Sequence, residues 1–243
     1  MCKKRLQHMP VQYILGEWDF RDLVLVLRPP VFIPTPETEE LVGHAADSIE
    51  KKNLQKGRFL EVGCGSGAIT LSLLQKFPQM RAVCLDISSD ACHLTQENAE
   101  RLSLADRLEV YQADVCLDKD LHELKQQDRF DFIVSNPPYI SSEEIPGLEK
   151  QIIEYEDLRA LDGGPDGLRV VKSILSLSST LLRPFGEVWL EVDVSQPVLI
   201  QQYVQEKTNL GLTYVATFQD YLGSNRFCLM RQARQEDKEG SAF

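Results

Sequence analysis

The sequence predicts an α/β domain in which a parallel sheet is covered by helices on both faces. Three observations lead there. From residue 57 onward, strand-like and helix-like segments alternate. A glycine turn, Gly63-Cys64-Gly65-Ser66-Gly67, leads sharply out of the first apolar run of that region. The tetrapeptide Asn136-Pro137-Pro138-Tyr139 follows a later apolar run, Phe132-Ile133-Val134.

Taken in order, the chain first offers Trp18-Asp19-Phe20 and Leu23 to Leu27, parted by the polar pair Arg21-Asp22, which predicts a small β-hairpin. Ile33-Pro34-Thr35-Pro36 then leads into a helix starting near Glu37. Proline just inside the start and acids in the first turn suit a helix N-terminus. Phe59-Leu60-Glu61-Val62 reads as a buried strand, and Ala68 to Phe77 as the helix after the glycine turn. A second strand, Ala82 to Asp86, ends in an acid and precedes a helix from Ser89 to Leu102. The third strand, Leu108 to Gln112, stops before Asp114, and the fourth covers Phe130 to Ser135. Residues 141–165 form a long polar excursion whose Gly163-Gly164-Pro165 end leads into a helix to Leu182. A strand over Gly186 to Val192, a helix over Gln196 to Lys207, and strands at Leu212 to Thr217 and Arg226 to Met230 complete the reading. The polar tail from Gln232 to Phe243 is expected to be mobile. No internal repeat is visible.

The 243 residues, 43% hydrophobic and 26% charged, suit one main domain with a small appendage. A formal net charge of -11 disfavours a broad basic surface gripping nucleic-acid phosphates. The cysteines Cys2, Cys64, Cys84, Cys92, Cys116 and Cys228 form no C-x-x-C pair and no metal-ligand spacing with histidine, so no metal site is expected and a reducing compartment is the simplest reading. No run approaches about 20 uninterrupted apolar residues, and no secretory signal precedes the domain, so no membrane span is expected. The basic opening Met1-Cys2-Lys3-Lys4-Arg5 is too short for a transit peptide.

The chemistry begins at the glycine turn. Only residues without a Cβ let a backbone turn so sharply and approach a ligand closely, although such a turn can also be a plain strand-to-helix connection. The spacing lacks the Gly-x-x-x-x-Gly-Lys-Ser/Thr of a phosphate loop, which argues against a nucleoside triphosphate. Asp86, ending the next strand about 20 residues on, is placed to accept from ribose hydroxyls or, alternatively, to cap the helix after it. These features suit NAD or S-adenosylmethionine equally. Asn136-Pro137-Pro138-Tyr139 separates the two. The carboxamide oxygen of Asn136 and a main-chain carbonyl held by the prolines are acceptors for a planar NH2 group, and Tyr139 offers a flat face. Hydride transfer has no use for such a clamp, whereas methyl transfer to nitrogen does.

Other polar residues carry weaker signals. Asp114 reads as a site residue or as a turn residue. The acids from Glu143-Glu144 through Glu154 to Asp157 read as a solvated surface or a guide for a basic partner. Glu191, at a strand end, lines the pocket or pairs with a lysine. The histidines His8, His44, His93 and His122 fall in no motif, so surface or packing roles are expected of them.

Several ordered motifs resemble one family. Pro10-Val11-Gln12-Tyr13-Ile14-Leu15-Gly16, Ile33-Pro34-Thr35-Pro36-Glu37-Thr38-Glu39, Glu61-Val62 with the glycine turn, and Ser135 to Ile140 look like the HemK/PrmC release-factor glutamine methyltransferases. So do Ala160-Leu161-Asp162-Gly163-Gly164 and Asp220-Tyr221-Leu222-Gly223-Ser224-Asn225-Arg226. The match covers residues 9–231, and its wording is closest to the animal mitochondrial branch.

The resemblance implies a Rossmann-like class I S-adenosylmethionine-dependent methyltransferase, with a seven-stranded, mostly parallel sheet whose last strand is antiparallel. It implies methylation of the N5 amide nitrogen of the glutamine in the Gly-Gly-Gln loop of a peptide-chain release factor. Gly63, Cys64, Gly65, Ser66 and Gly67 would cradle the methionine part of the cofactor, and Asp86 would bind its ribose. Asp114 and Val115 would edge the adenine, and Phe32, Thr35 and Thr38 would cover the cofactor from the N-terminal side. Asn136, Pro137, Pro138 and Tyr139 would hold the glutamine, with Asn136 also binding the cofactor and with Asn136, Pro137 and Tyr139 as catalytic residues. Two departures stand out. Thr35 replaces the family's usual Arg, and the N-terminal helical domain that docks the release factor is largely absent, as in a fragment, a short isoform or a partial gene model.

The expected organisation is an N-terminal segment with the hairpin over 1–36, a methyltransferase domain over 37–231 and the tail over 232–243. A monomer is expected, without membrane or direct nucleic-acid binding, in the mitochondrion by resemblance or else in the cytoplasm. Two other readings are methylation of adenine N6 in nucleic acid, which presents the same planar NH2, and a truncated non-catalytic form that still binds its cofactor or a partner.

Overall fold

A computed structural model describes residues 2–233. Two short helices, α1 (Cys2–Leu6) and α2 (Val11–Leu15), open the chain and were not foreseen. α2 ends on Gly16, whose φ of 82° allows its N–H to reach back to the Gln12 carbonyl. The hairpin follows as β1 (Glu17–Phe20) and β2 (Leu23–Val26), with Phe20 opposite Leu23 across the Arg21-Asp22 turn. α3 (Pro36–Lys51) begins on its proline, carries Glu37 and Glu39 in its first turn, and buries Leu41, Val42, Ala45, Ala46 and Ile49 along one stripe.

The alternating part then runs β3 (Arg58–Val62), α4 (Ala68–Lys76), β4 (Arg81–Asp86), α5 (Ser89–Arg101) and β5 (Leu108–Gln112). After a short α6 (His122–Lys125) come β6 (Phe130–Ser135), α7 (Lys150–Tyr155), α8 (Arg169–Leu181), β7 (Leu182–Glu191), α9 (Gln196–Glu206), β8 (Leu212–Gln219) and β9 (Asn225–Gln232). Three differences from the sequence reading have local causes. The polar excursion over 141–165 contains a helix, α7, and tight turns. β7 starts at Leu182 because a bulge lets Leu182 pair with Phe130 before the regular register resumes at Phe132 and Glu187. Gln232, expected in the tail, closes β9, Ala233 donates its N–H to the Gly211 carbonyl, and residues 234–243 of the expected tail lie outside the described residues.

The sheet order is β5-β4-β3-β6-β7-β9-β8, with every pair parallel except those of β9, which is antiparallel to both neighbours. β3 and β6 lie side by side although about 70 residues separate them, and from that line the order runs outward in both directions. Successive residues point to opposite faces, so Phe59 and Phe132 enter one core while Leu60 and Ile133 enter the other. Phe20, Leu23 and Leu25 of the hairpin belong to the first of these cores. The hairpin is thus part of the domain's own packing.

Buried polar side chains fasten the loops at the sheet's C-terminal edge. Asn98 of α5 accepts from Val26 N at 2.8 Å and donates to the carbonyls of Val26 and Ser66, joining hairpin, helix and glycine turn. Ser135 donates to the Val62 carbonyl at 2.6 Å, tying the end of β6 to the end of β3. Glu61, 1% exposed, accepts from Thr70 N at 3.0 Å and from the Thr70 hydroxyl, bracing α4 against the strand that feeds it.

Burial pushes the Glu61 carboxyl from 4.5 up to about 8, against the pull of its Thr70 hydrogen bonds. The folded chain therefore holds a proton that the unfolded chain releases. The stability this proton contributes is complete below pH 4.5 and is lost as pH rises through about 8. Glu61→Gln keeps an acceptor for Thr70 without the titration. In urea unfolding, the variant should gain stability relative to the native chain as pH is raised across that window, and a pH-independent difference would contradict this assignment.

Candidate active site

A cavity of about 590 Å³ opens where the loops after β3, β4, β5 and β6 meet. Its lining includes Phe32, Gly63, Gly65, Asp86, Asp114, Val115 and all four residues Asn136, Pro137, Pro138 and Tyr139. The strand order explains the meeting. β3 ends in the glycine turn, β6 ends in the tetrapeptide, and a Cβ placed on Gly63 would lie only 3.9 Å from the Asn136 carbonyl.

The Asn136 carboxamide is fixed from behind. Its Nδ2 donates to Thr38 Oγ1 at 3.0 Å, and Thr38 Oγ1 donates to Glu191 Oε2 at 2.9 Å. Asn136 Oδ1 has no hydrogen-bond partner among the described residues. The backbone that follows is pinned as well. Ile140 N donates to the Leu161 carbonyl, Gly163 N donates to the Ile140 carbonyl, and Gln196 Nε2 donates to the carbonyls of Tyr139 and Gly167. A Cβ at Gly163 would stand 2.7 Å from the Pro138 carbonyl, and one at Gly167 would stand 2.4 Å from the Tyr139 carbonyl. The Gly-Gly-Pro-Asp-Gly run thus provides the flat backing on which the tetrapeptide lies. Burial, aided by Glu191, pushes the Tyr139 phenol up to about 12, so it is neutral at ordinary pH.

On the other wall, Gly63, Gly65 and Gly67 have φ of 78°, 54° and 83°, a region that only glycine enters cheaply. A Cβ on Gly65 would meet nothing within 4 Å. Asp86 Oδ2 accepts from Gly65 N at 3.0 Å and Oδ1 accepts from Ser88 N at 2.9 Å, while the residue also lines the cavity. Asp86 thus braces Ser88, the residue before α5, whose first turn takes no side-chain cap, and it also lines the cavity. Burial raises its carboxyl, opposed by those two backbone donors. Asp114 likewise accepts from Cys116 N at 2.8 Å in a tight turn and still faces the cavity.

Five of the expected site residues stand outside the lining. Cys64 and Ser66 are each 3% exposed behind the turn, and a Cβ on Gly67 would press on the Leu71 side chain at 2.9 Å, so these three shape the turn from within. Thr35 and Thr38 lie beneath Asn136, with their hydroxyls 3.3 Å apart. Glu191, 1% exposed, does not line the cavity and pairs with no lysine among the described residues; its Oε2 accepts from the Thr38 hydroxyl. None of the histidines lines the cavity, and His44 packs against Trp189, Phe218 and Phe227.

Sequence reasoning missed the roof. Ile145, Pro146, Leu158 and Leu161, scattered among the acids of the excursion, turn toward the cavity, and no periodic spacing announces them. Arg159 also lines it, paired with Asp157 at 2.6 Å. The excursion is held down by the N-terminal segment through Asp157 N to the Pro30 carbonyl and Tyr155 Oη to the Gln7 carbonyl.

Comparison with known proteins gives one family. The family model described as methyltransferase small domain matches residues 45–196. The Homo sapiens protein named MTRF1L release factor glutamine methyltransferase is 43% identical over 238 residues, covering 96% of this chain and 70% of that protein. The release factor glutamine methyltransferase of Lactococcus lactis is 40% identical over 226 residues, covering 93% of this chain and 78% of its own length. Among solved structures, a T. thermophilus 16S rRNA N2 methyltransferase in complex with AdoMet and guanosine superposes with a TM-score of 0.60 at 17% identity, over 90% of this chain and 50% of that one, a likeness of fold alone. With its seven-stranded sheet, its glycine turn and its Asn-Pro-Pro-Tyr loop on one cavity, this chain belongs to the release factor glutamine methyltransferase family.

Proposed function

We propose that the chain methylates the N5 amide nitrogen of the glutamine in the Gly-Gly-Gln loop of a peptide-chain release factor, with S-adenosylmethionine as methyl donor. The observation that carries this reading is the Asn136 carboxamide, on a residue that lines the cavity, whose Nδ2 is engaged by Thr38 while Oδ1 takes no donor among the described residues. A fixed acceptor with no protein donor suits a substrate N–H. The motif wording, closest to the animal mitochondrial branch, supports the mitochondrion as compartment. We take 37–231 as the catalytic unit and 1–36 as the segment that holds its roof, acting as a monomer on protein, with the net charge of -11 favouring protein over nucleic acid as substrate.

The cavity suits the donor. Its volume lies within the roughly 300–1,000 Å³ of small-molecule sites. Gly63 and Gly65 present bare backbone there, suited to the methionine portion, with Cys64, Ser66 and Gly67 giving the turn its shape. Each Asp86 oxygen takes one backbone donor and keeps acceptor capacity for ribose hydroxyls. Asp114 and Val115 offer an edge for the adenine, and Phe32 covers from the N-terminal side. When bound, S-adenosylmethionine supplies a methyl group on a positively charged sulfur.

The protein's own work is positioning. An amide nitrogen is a poor nucleophile because its lone pair is delocalised into the carbonyl, so orientation is the main device available. Asn136 Oδ1 and the Pro137 carbonyl would each accept one N–H of the glutamine amide, turning the nitrogen and making it slightly more electron-rich. Tyr139, neutral and half-buried, would stack on the amide plane. The apolar roof of Ile145, Pro146, Leu158 and Leu161 excludes water, which strengthens these neutral acceptors. The nitrogen gains a methyl group and gives up one proton, which leaves by the Asn136 or Pro137 oxygen to water.

Four measurements check this reading and the backing of its site. With tritiated S-adenosylmethionine, label should enter the Gly-Gly-Gln loop of a release factor and not adenine-containing DNA; label on DNA alone would overturn it. Asn136→Ala should lower transfer by roughly 100-fold or more while leaving cofactor affinity nearly unchanged. Asp86→Ala should weaken cofactor binding by about tenfold or more, as loss of a charge-assisted hydrogen bond implies. An unchanged dissociation constant by calorimetry would remove Asp86 from the ribose. Gly167→Ala, strained at φ 68° and driven into the Tyr139 carbonyl, should cost about 1–3 kcal/mol in unfolding experiments.

A further inference from the structure

Thr38 occupies a position where every hydrogen-bonding capacity of its hydroxyl is engaged. A hydroxyl has one proton and two lone pairs. Three partners surround this one: Glu191 Oε2 at 2.9 Å, Asn136 Nδ2 at 3.0 Å and Thr35 Oγ1 at 3.3 Å. An ionised Glu191 can only accept, so in that state Thr38 gives its single proton to Oε2. The lone pairs are what remains for Asn136 and Thr35. Of the two ends of the carboxamide only the NH2 can meet a lone pair, so Asn136 turns its NH2 inward and its oxygen outward.

We propose that Thr38 and Glu191 are positioning residues that fix which end of the Asn136 carboxamide faces the substrate. The proposal rests on the reading of Asn136 as an amide clamp and names what enforces its polarity. The three groups come from three elements, the first turn of α3, the end of β6 and the end of β7. Without the acceptor on Glu191, the Thr38 proton would be free to serve Asn136 Oδ1. The carboxamide would then turn over and present NH2 to the NH2 of the glutamine, a contact of donor with donor.

The burial of Glu191 argues for such a role. A carboxyl with 1% exposure costs folding free energy, and an apolar side chain of similar size fills the same space without that cost. No residue of the described chain forms a salt bridge with it. Among the described residues its one side-chain hydrogen bond is to Thr38. The carboxyl is thus kept at a cost to stability, at one remove from the site, in contact with the group that orients Asn136.

The test uses the full chain, labelled S-adenosylmethionine and a release factor, with two readouts. Thr38→Val preserves shape and removes the hydroxyl, and it should lower kcat by about tenfold or more while KM for S-adenosylmethionine stays within about twofold. Thr38→Ser, which restores the hydroxyl, should restore most of kcat. Glu191→Ala should lose as much as Thr38→Val, and Glu191→Gln, whose amide oxygen can accept from Thr38, should regain part of it. In 15N-labelled protein, the Asn136 side-chain amide signals, assigned by their loss in Asn136→Ala, should shift and exchange faster with water in Thr38→Val and in Glu191→Ala. Full kcat in Thr38→Val, or no rescue by Thr38→Ser, would overturn the relay, and so would unmoved amide signals. If the native chain fails to label a release factor, the functional reading falls on its own, and the amide signals still decide the relay.

Discussion

The parallel pairing of β3 with β6 is the constraint on which the rest of the molecule depends. It joins two strands about 70 residues apart, and from it the sheet grows outward in both directions. At such a line the two following loops leave on opposite faces and open a crevice between them. One loop is the glycine turn and the other is Asn136-Pro137-Pro138-Tyr139. Every further feature of the site is a means of holding these two loops in register, beginning with the bond from Ser135 to the Val62 carbonyl.

The means are mostly single buried polar side chains, each of which joins several elements. Asn98 gathers the hairpin and the glycine turn onto α5, Glu61 braces α4, Asp86 joins the glycine turn to the start of α5, and Thr38 joins α3 to β6 and β7. Each satisfies backbone or side-chain groups that would otherwise be costly to bury. The loops are thereby set to within hydrogen-bond tolerance while their outer faces stay bare. Gly65 has its N–H on Asp86 and its carbonyl on Thr95, and Asn136 has its Nδ2 on Thr38, so the protein's own hydrogen bonds lie behind the site.

Much of this was legible in the sequence, and what was not has a physical cause. The strands and long helices followed from apolar runs and period, and the local chemistry of Gly63 to Gly67 and Asn136 to Tyr139 followed from the conformations those residues permit. Contacts set by the tertiary fold were invisible. Thr38 and Glu191 are 153 positions apart, and nothing local marks them as partners. Thr35 and Thr38, expected to cover the cofactor, lie instead beneath Asn136, because α3 enters the domain under the tetrapeptide. The roof was hidden for another reason: Ile145, Leu158 and Leu161 sit singly among acids, where composition announces only a solvated loop. The glycines of 163–167 read as a helix approach, but the close passage of the Tyr139 carbonyl is what requires Gly167.

The central claim is that Asn136 Oδ1 and the Pro137 carbonyl together hold the amide that is methylated. The most direct measurement is a crystal structure of the chain with a release factor and S-adenosylhomocysteine. The claim requires the Nε2 of the Gly-Gly-Gln glutamine within about 3 Å of both oxygens, with Asn136 Nδ2 still on Thr38. A glutamine amide seated elsewhere in the cavity, or an Asn136 carboxamide turned over to offer its nitrogen, would contradict it.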